Sequence, residues 1–135
     1  MNIVSDTNIF ISGIFWKGDS YRILCLWDSG KIQLIISQEI ISEIFRVLSD
    51  FKIRLPDELK DAWMTRITEY GMIVEPAERF HIVSDPADDK FIDAAIAGNA
   101  SYIISNDKHL LTLKQFKGVR ILTPKEFIRK SCGKS

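Results

Sequence analysis

The chain has 135 residues, 46% hydrophobic and 27% charged, which is ordinary globular usage and enough length to bury one substantial core without staples. Its 18 basic and 18 acidic residues cancel, so no global field draws it onto nucleic acid, and such binding needs a local basic patch. No apolar run approaches the ~18 residues of a membrane span, Asp6 and Asn8 interrupt an apolar start that lacks a basic n-region, and Cys25 and Cys132 fit neither a zinc spacing nor a disulfide framework; a cytoplasmic protein with two free thiols is expected.

Ile3-Val4 is a short apolar run that ends at Ser5-Asp6-Thr7-Asn8. It reads as a buried strand that carries a carboxylate to its C-terminal end, where open parallel sheets bind ligands. Asp6 and Asn8 could equally end the strand and cap the next helix. Ile9 to Phe15 suits a short helix, and Trp16 to Ser20 a turn. Ser20 is placed as the cap of a second helix running to about Ser29, with Gly30 as its stop. Ile32 to Ile36 is a second buried strand. Ser37 caps a helix to about Leu48, in which Ile40, Ile41, Ile44, Phe45 and Leu48 form the inward stripe and Glu43 falls at its edge.

Pro56-Asp57-Glu58 opens a helix to about Tyr70, stopped by Gly71. Met72 to Val74 is the third strand, and Glu75 to Ser84 is irregular. Asp85-Pro86-Ala87-Asp88-Asp89 reads as an N-cap, an N1 proline and first-turn acids of a helix with Phe91, Ile92, Ala95 and Ile96 inward, ending near Gly98. Tyr102 to Ile104 is the fourth strand and ends in Ser105-Asn106-Asp107. A short helix, a fifth strand at Val119 to Leu122 and a last helix capped by Thr123-Pro124 follow. Strands separated by helices imply right-handed crossovers and an α/β fold, three-layered α/β/α, with a mainly parallel sheet of about five strands. A single domain over 1–131 is expected, with a frayed tail at 132–135.

Asp6 and Asp107 each follow a strand directly, while Glu43 and Asp89 sit on helices after strands or their loops; a doubly wound sheet gathers all four at one edge. Converging acids repel unless cations hold them. Oxygen-only ligation suits Mg²⁺ or Mn²⁺, and no Cys/His pair offers a better zinc site. Asp85 reads as a cap, Asp88 as a first-turn charge or an outer acid, Asp93 as a supporting or solvated group, and Glu39 as a surface acid. His81 and His109 stand alone, with surface or structural roles. Of Phe10, Phe15, Trp16 and Tyr21, most are expected in the core.

Asp6-Thr7-Asn8, Glu43, Asp88-Asp89 ahead of an alanine-bearing helix, and Ser105-Asn106-Asp107 resemble the PIN domain over nearly the whole chain. Trp16-Lys17-Gly18, Asp85-Pro86 and Asp88-Asp89-Lys90-Phe91 are similar to small prokaryotic PIN proteins described as toxin components of toxin–antitoxin pairs, the VapC-like nucleases. The resemblance implies a PIN-like, 5'-nuclease-like fold and metal-dependent hydrolysis of RNA. Asp6, Glu43, Asp89 and Asp107 would be the catalytic metal ligands, with Thr7, Asn8, Ser105 and Asp88 around them. Lys17, Arg22, Arg46, Lys90 and Lys108 are the cations near enough to meet RNA, beside Lys52 and Arg54. A homodimer or higher homo-oligomer and a cognate antitoxin are the implied partners. Asn106, where relatives often have Gly or Arg, bears on substrate contacts. A catalytically silent RNA- or protein-binding module is an alternative, and Asn8 counts against an aspartyl-phosphate phosphatase, which looks for a second Asp there.

Overall fold

The computed structural model describes residues 1–50 and 52–132. Six strands, β1 (Asn2–Ser5), β2 (Gln33–Ser37), β3 (Met72–Val74), β4 (Tyr102–Ile104), β5 (Gln115–Phe116) and β6 (Val119–Leu122), form one sheet in the order β3-β2-β1-β4-β6-β5. All neighbours are parallel except β5 and β6. From β1 the chain moves outward through β2 and β3 on one side, then through β4 and β6 on the other. The topological switch lies between β1 and β4, where Ile3 pairs Tyr102 and Ser5 pairs Ile104. A crevice opens beyond strand ends at such a point.

Ile3 and Val4 point to opposite faces of β1, and Ile103 and Ile104 to opposite faces of β4, yet all four are 0% exposed. Both faces of the sheet are therefore covered, which is why its central strands read as unbroken apolar runs rather than as alternation. The helices α1 (Thr7–Phe15), α2 (Asp19–Asp28), α3 (Gln38–Leu48), α4 (Asp57–Tyr70), α5 (Asp89–Ala97), α6 (Lys108–Leu113) and α7 (Pro124–Cys132) supply the cover. α5 packs across β1, β2 and β4, and α7 against β6 and α2. No helix among the described residues is long and apolar enough to cross a membrane.

The two-residue β5 is absent from the periodicity reading. It exists through a tight hairpin in which Lys117 and Gly118 both take positive φ, 48° and 87°, between the paired Phe116 and Val119. Two consecutive positive φ values make this a primed turn, the kind whose twist matches a hairpin. Local chemistry also moves two boundaries. Gly18, not Ser20, is the N-cap of α2, and Ser20 is buried within the helix. Asp6 caps α1, so that helix begins at Thr7. Most of the four aromatics near the start were expected in the core, but only Phe10 is buried, against Trp27 and Trp63, while Phe15, Trp16 and Tyr21 are exposed. Cys25 is a free, exposed thiol. α7 carries the chain through Cys132, and residues 133–135 of the expected tail lie outside the described residues.

Gly71 ends α4 with an ordinary φ of −73°, so its lack of a side chain serves space. A Cβ there would stand 2.5 Å from both the Ile67 carbonyl oxygen and Ile36 Cδ1. Gly71→Ala is expected to destabilise the fold by about 2 kcal/mol through overpacking, read as a fall of several degrees in Tm by circular dichroism; an unchanged Tm would contradict the tight approach of α4 to β2.

Candidate metal centre

Asp6 follows β1 at the switch point. Its Oδ1 accepts the Ile9 backbone N–H at 2.8 Å, the helix-capping bond, and its Oδ2 accepts the Ser105 hydroxyl. Ser105 is positioned by β4 and is fully buried. Its Oγ also accepts the Asp107 N–H at 2.9 Å, so one hydroxyl ties the two strand ends together. Capping and site-building are thus one role, since the same carboxylate starts α1 and faces the crevice. Burial raises the Asp6 pKa, the Ser105 and Ile9 bonds oppose the rise, and the charges of Asp107 and Glu43 add to it.

Asp107 repeats the device at the start of α6, where its Oδ1 accepts the His109 N–H at 2.7 Å. Asp85 repeats it at the 3-10 turn Pro86–Asp88, accepting the Ala87 N–H at 3.0 Å. Glu43 reaches the site from α3. Its Oε1 accepts the Thr7 hydroxyl, and its Oε2 lies 2.9 Å from Lys90 Nζ and 3.6 Å from Arg46. The resulting cavity, about 280 Å³, is lined by Asp6, Thr7, Asn8, Glu43, Arg46, Asp85, Asp88 and Asp107 among others.

Asp88 belongs to this cavity and Asp89 does not line it. The Asp89 Oδ1 instead accepts the Val83 N–H at 3.1 Å, and its Oδ2 lies 3.8 Å from His81. One turn on, the buried Asp93 accepts the Phe80 N–H at 2.8 Å and lies 3.6 Å from Arg79, which also pairs with the exposed Glu39. Asp89 and Asp93 thereby fasten the segment 80–83 that leads into Asp85 and Asp88. Asp93 is a clamp rather than a solvated group, and burial of both acids is tolerated because each accepts a backbone donor.

Asp88 is the anomalous group. Its Oδ2 is buried without a hydrogen-bond partner, alone in this among side-chain atoms of the described residues. Its pKa is pushed up to about 6, first by burial, then by the charges of Asp107 and Asp85, against a lowering by Lys90. An orphaned carboxylate oxygen facing further acids fits a hard divalent cation, whose charge and open coordination resolve both costs. His109 was not among the expected site residues. One ligand atom each from Asp85, Asp88 and His109 lies within 4.8 Å of the others, and His109 Nδ1 is 3.0 Å from Asp107. Its position two residues beyond Asp107 is the signal in the sequence that marks it.

A larger cavity, about 680 Å³, lies at the opposite end of the sheet, lined by Trp27, Asp28, Gln33, Arg66, Tyr70 and Met72 among others. Its charged lining residues, Arg66 and Asp28, pair with each other. The acidic cavity is smaller, but it holds the converging titratable groups that mark a site.

A family profile described as a PIN domain matches residues 2–109. An uncharacterized protein of Methanocaldococcus jannaschii is 33% identical over 141 aligned positions, covering 95% of this chain and 90% of the relative. Among solved structures, VapBC2 from Rickettsia felis, bound to a DNA fragment from its promoter, is similar with a TM-score of 0.60 at 17% identity, covering 90% of this chain and 97% of that one. FitAcB from Neisseria gonorrhoeae is similar with a TM-score of 0.52 at 15% identity, covering 91% and 98%. The structural likenesses carry the fold, and the profile over most of the chain, with its acids gathered at the switch point, establishes that the chain belongs to the PIN domain family.

Proposed function

We propose that the protein is a divalent-metal-dependent endoribonuclease that hydrolyses RNA phosphodiester bonds, and that it is the toxin component of a cytoplasmic toxin–antitoxin pair. The supporting observation is the convergence of Asp6, Glu43, Asp88 and Asp107 on one cavity that contains a buried, unpartnered carboxylate oxygen. In this reading those four residues hold Mg²⁺ or Mn²⁺, and Asp88 takes the place expected of Asp89. The bound ion supplies positive charge against the phosphate oxygens and makes the attacking water more acidic.

The chain's own contribution is orientation. Ser105 and the Ile9 amide fix both oxygens of Asp6, Thr7 fixes Glu43, and the His109 amide fixes Asp107. Ligands held by such outer partners need little reorganisation when the site loads. Asn8 lines the cavity with its side chain exposed to incoming substrate. Arg46, 74% exposed at the cavity edge, and the exposed Lys17, Arg22 and Lys108 supply phosphate contacts. Arg22 is engaged only by a surface pair with Asp19 at 3.5 Å, which solvent weakens and a phosphate can replace. The partners in this reading are a second copy of the chain and an antitoxin that covers the cavity, by analogy with the family alone.

The test is cleavage of an RNA pool by the intact chain with Mn²⁺ or Mg²⁺, with and without chelator. Asp6→Asn keeps an oxygen for the Ile9 cap, so it should retain the fold and lower the rate by at least about a hundredfold. Chelator should abolish cleavage outright. A wild-type protein that binds Mn²⁺ without cleaving any RNA would favour the silent binding module instead.

A further inference from the structure

Lys90 was expected to meet RNA, yet it is the least exposed of the cations around the cavity. Its side chain is 13% exposed, against 74% for Arg46. The Nζ lies 2.9 Å from Glu43 Oε2 and 4.8 Å from the Phe91 ring centroid, and it donates to the Ala87 carbonyl oxygen. These contacts engage the ammonium on the carboxylate, the backbone and the ring together. An ammonium removed from water this far needs a paired charge to stay.

Glu43 is correspondingly the most occupied acid of the cavity. Thr7 holds one of its oxygens, and Lys90 with Arg46 holds the other. Asp6 and Asp107 receive hydroxyl or amide donors but form no ion pair with Lys or Arg among the described residues. Cationic charge inside the cavity is therefore placed on one ligand, the one carried by α3.

We propose that Lys90 is a resident cation that competes with the divalent ion for Glu43, so that Glu43 is charge-paired from within the chain and metal loading requires the ammonium to leave that carboxylate. The inference rests on the metal reading above and adds to it the residue that sets the affinity threshold. Neutralising Lys90 leaves Thr7 to orient Glu43 and removes a positive charge from the ion's surroundings. The ion then binds more tightly.

The experiment is calorimetric titration of Mn²⁺ into the intact wild-type chain, K90M and K90R, each checked for folding by circular dichroism. Met keeps an unbranched apolar stem without the charge, and Arg keeps the charge. K90M should bind Mn²⁺ at least about fivefold more tightly, as removal of a like charge at this range requires, while K90R should stay close to wild type. Equal or weaker binding by K90M overturns the proposal while leaving the metal reading in place. Binding by none of the three overturns both. Where K90M does not fold, ¹⁵N-lysine NMR of the wild type decides, with the Lys90 ζ signal assigned by its absence from K90R. Saturating Mg²⁺ should shift that signal and speed its proton exchange, and an unperturbed signal overturns the proposal.

Discussion

Asp88→Asn is expected to lower metal-dependent RNA cleavage by at least about a hundredfold, whereas Asp89→Asn stays within about tenfold of wild type. The reason is where each carboxylate points. Asp88 has a buried oxygen with no partner, in the cavity with Asp6, Glu43 and Asp107. Asp89 is engaged by the Val83 amide, and an asparagine oxygen can accept that bond in its place. A loss in Asp89→Asn as large as in Asp88→Asn would place both acids in the chemistry.

The same substitution has a pH signature in the metal-free protein. Asp88 titrates near 6 in the fold against an ordinary value of 3.8, so the folded chain holds this proton more tightly than the unfolded one. Its contribution to stability is complete below the unfolded value and is lost as pH rises through about 6. With allowance for solvent screening of a partly exposed group, the loss is on the order of 1 kcal/mol. Metal-free Asp88→Asn should therefore exceed wild type in Tm at pH 7.5 (about neutral, where the wild-type acid is ionised) and lose that advantage near pH 4. An advantage that is the same at both pH values would show that Asp88 is not under charge strain.

Asp93→Ala is the second large effect. It removes the acceptor of the Phe80 amide and a partner of Arg79 from a position only 5% exposed. Leaving a buried donor unpaired, with the lost ion pair, should cost about 3 kcal/mol, measured by urea denaturation. Because Asp93 and Asp89 hold segment 80–83 ahead of Asp85 and Asp88, Mn²⁺ affinity should fall by about tenfold as well. A variant that loses stability and keeps full Mn²⁺ affinity would show that the clamp supports the fold without positioning the site.

Much of this was legible from residue order. Apolar runs ending in Asp6 and in Ser105-Asn106-Asp107 placed two acids at the strand ends, and those strands prove to be neighbours at the switch point. Ser37 and Asp85 cap their helices as their types suggest. The choice between Asp88 and Asp89 was not legible. Neighbouring positions on a helix point roughly 100° apart, and the chain passes there from a 3-10 turn into α5. Which acid faces the crevice depends on that change of pitch. The partners of Asp93 and Lys90 were not legible for a related reason, because Phe80 and Glu43 come from other elements and leave no local trace. The exposed Trp16 and Phe15 show the limit of inferring burial from residue type where the chain turns between two helices.

If four acids from four parts of the chain form one metal site, diffraction at the manganese edge from crystals soaked in Mn²⁺ should show an anomalous peak among Asp6, Glu43, Asp88 and Asp107, with Lys90 withdrawn from Glu43. A fully soaked crystal with no peak in this cavity, or with Mn²⁺ bound at Asp89 beside His81 instead, would rule out the four-acid site.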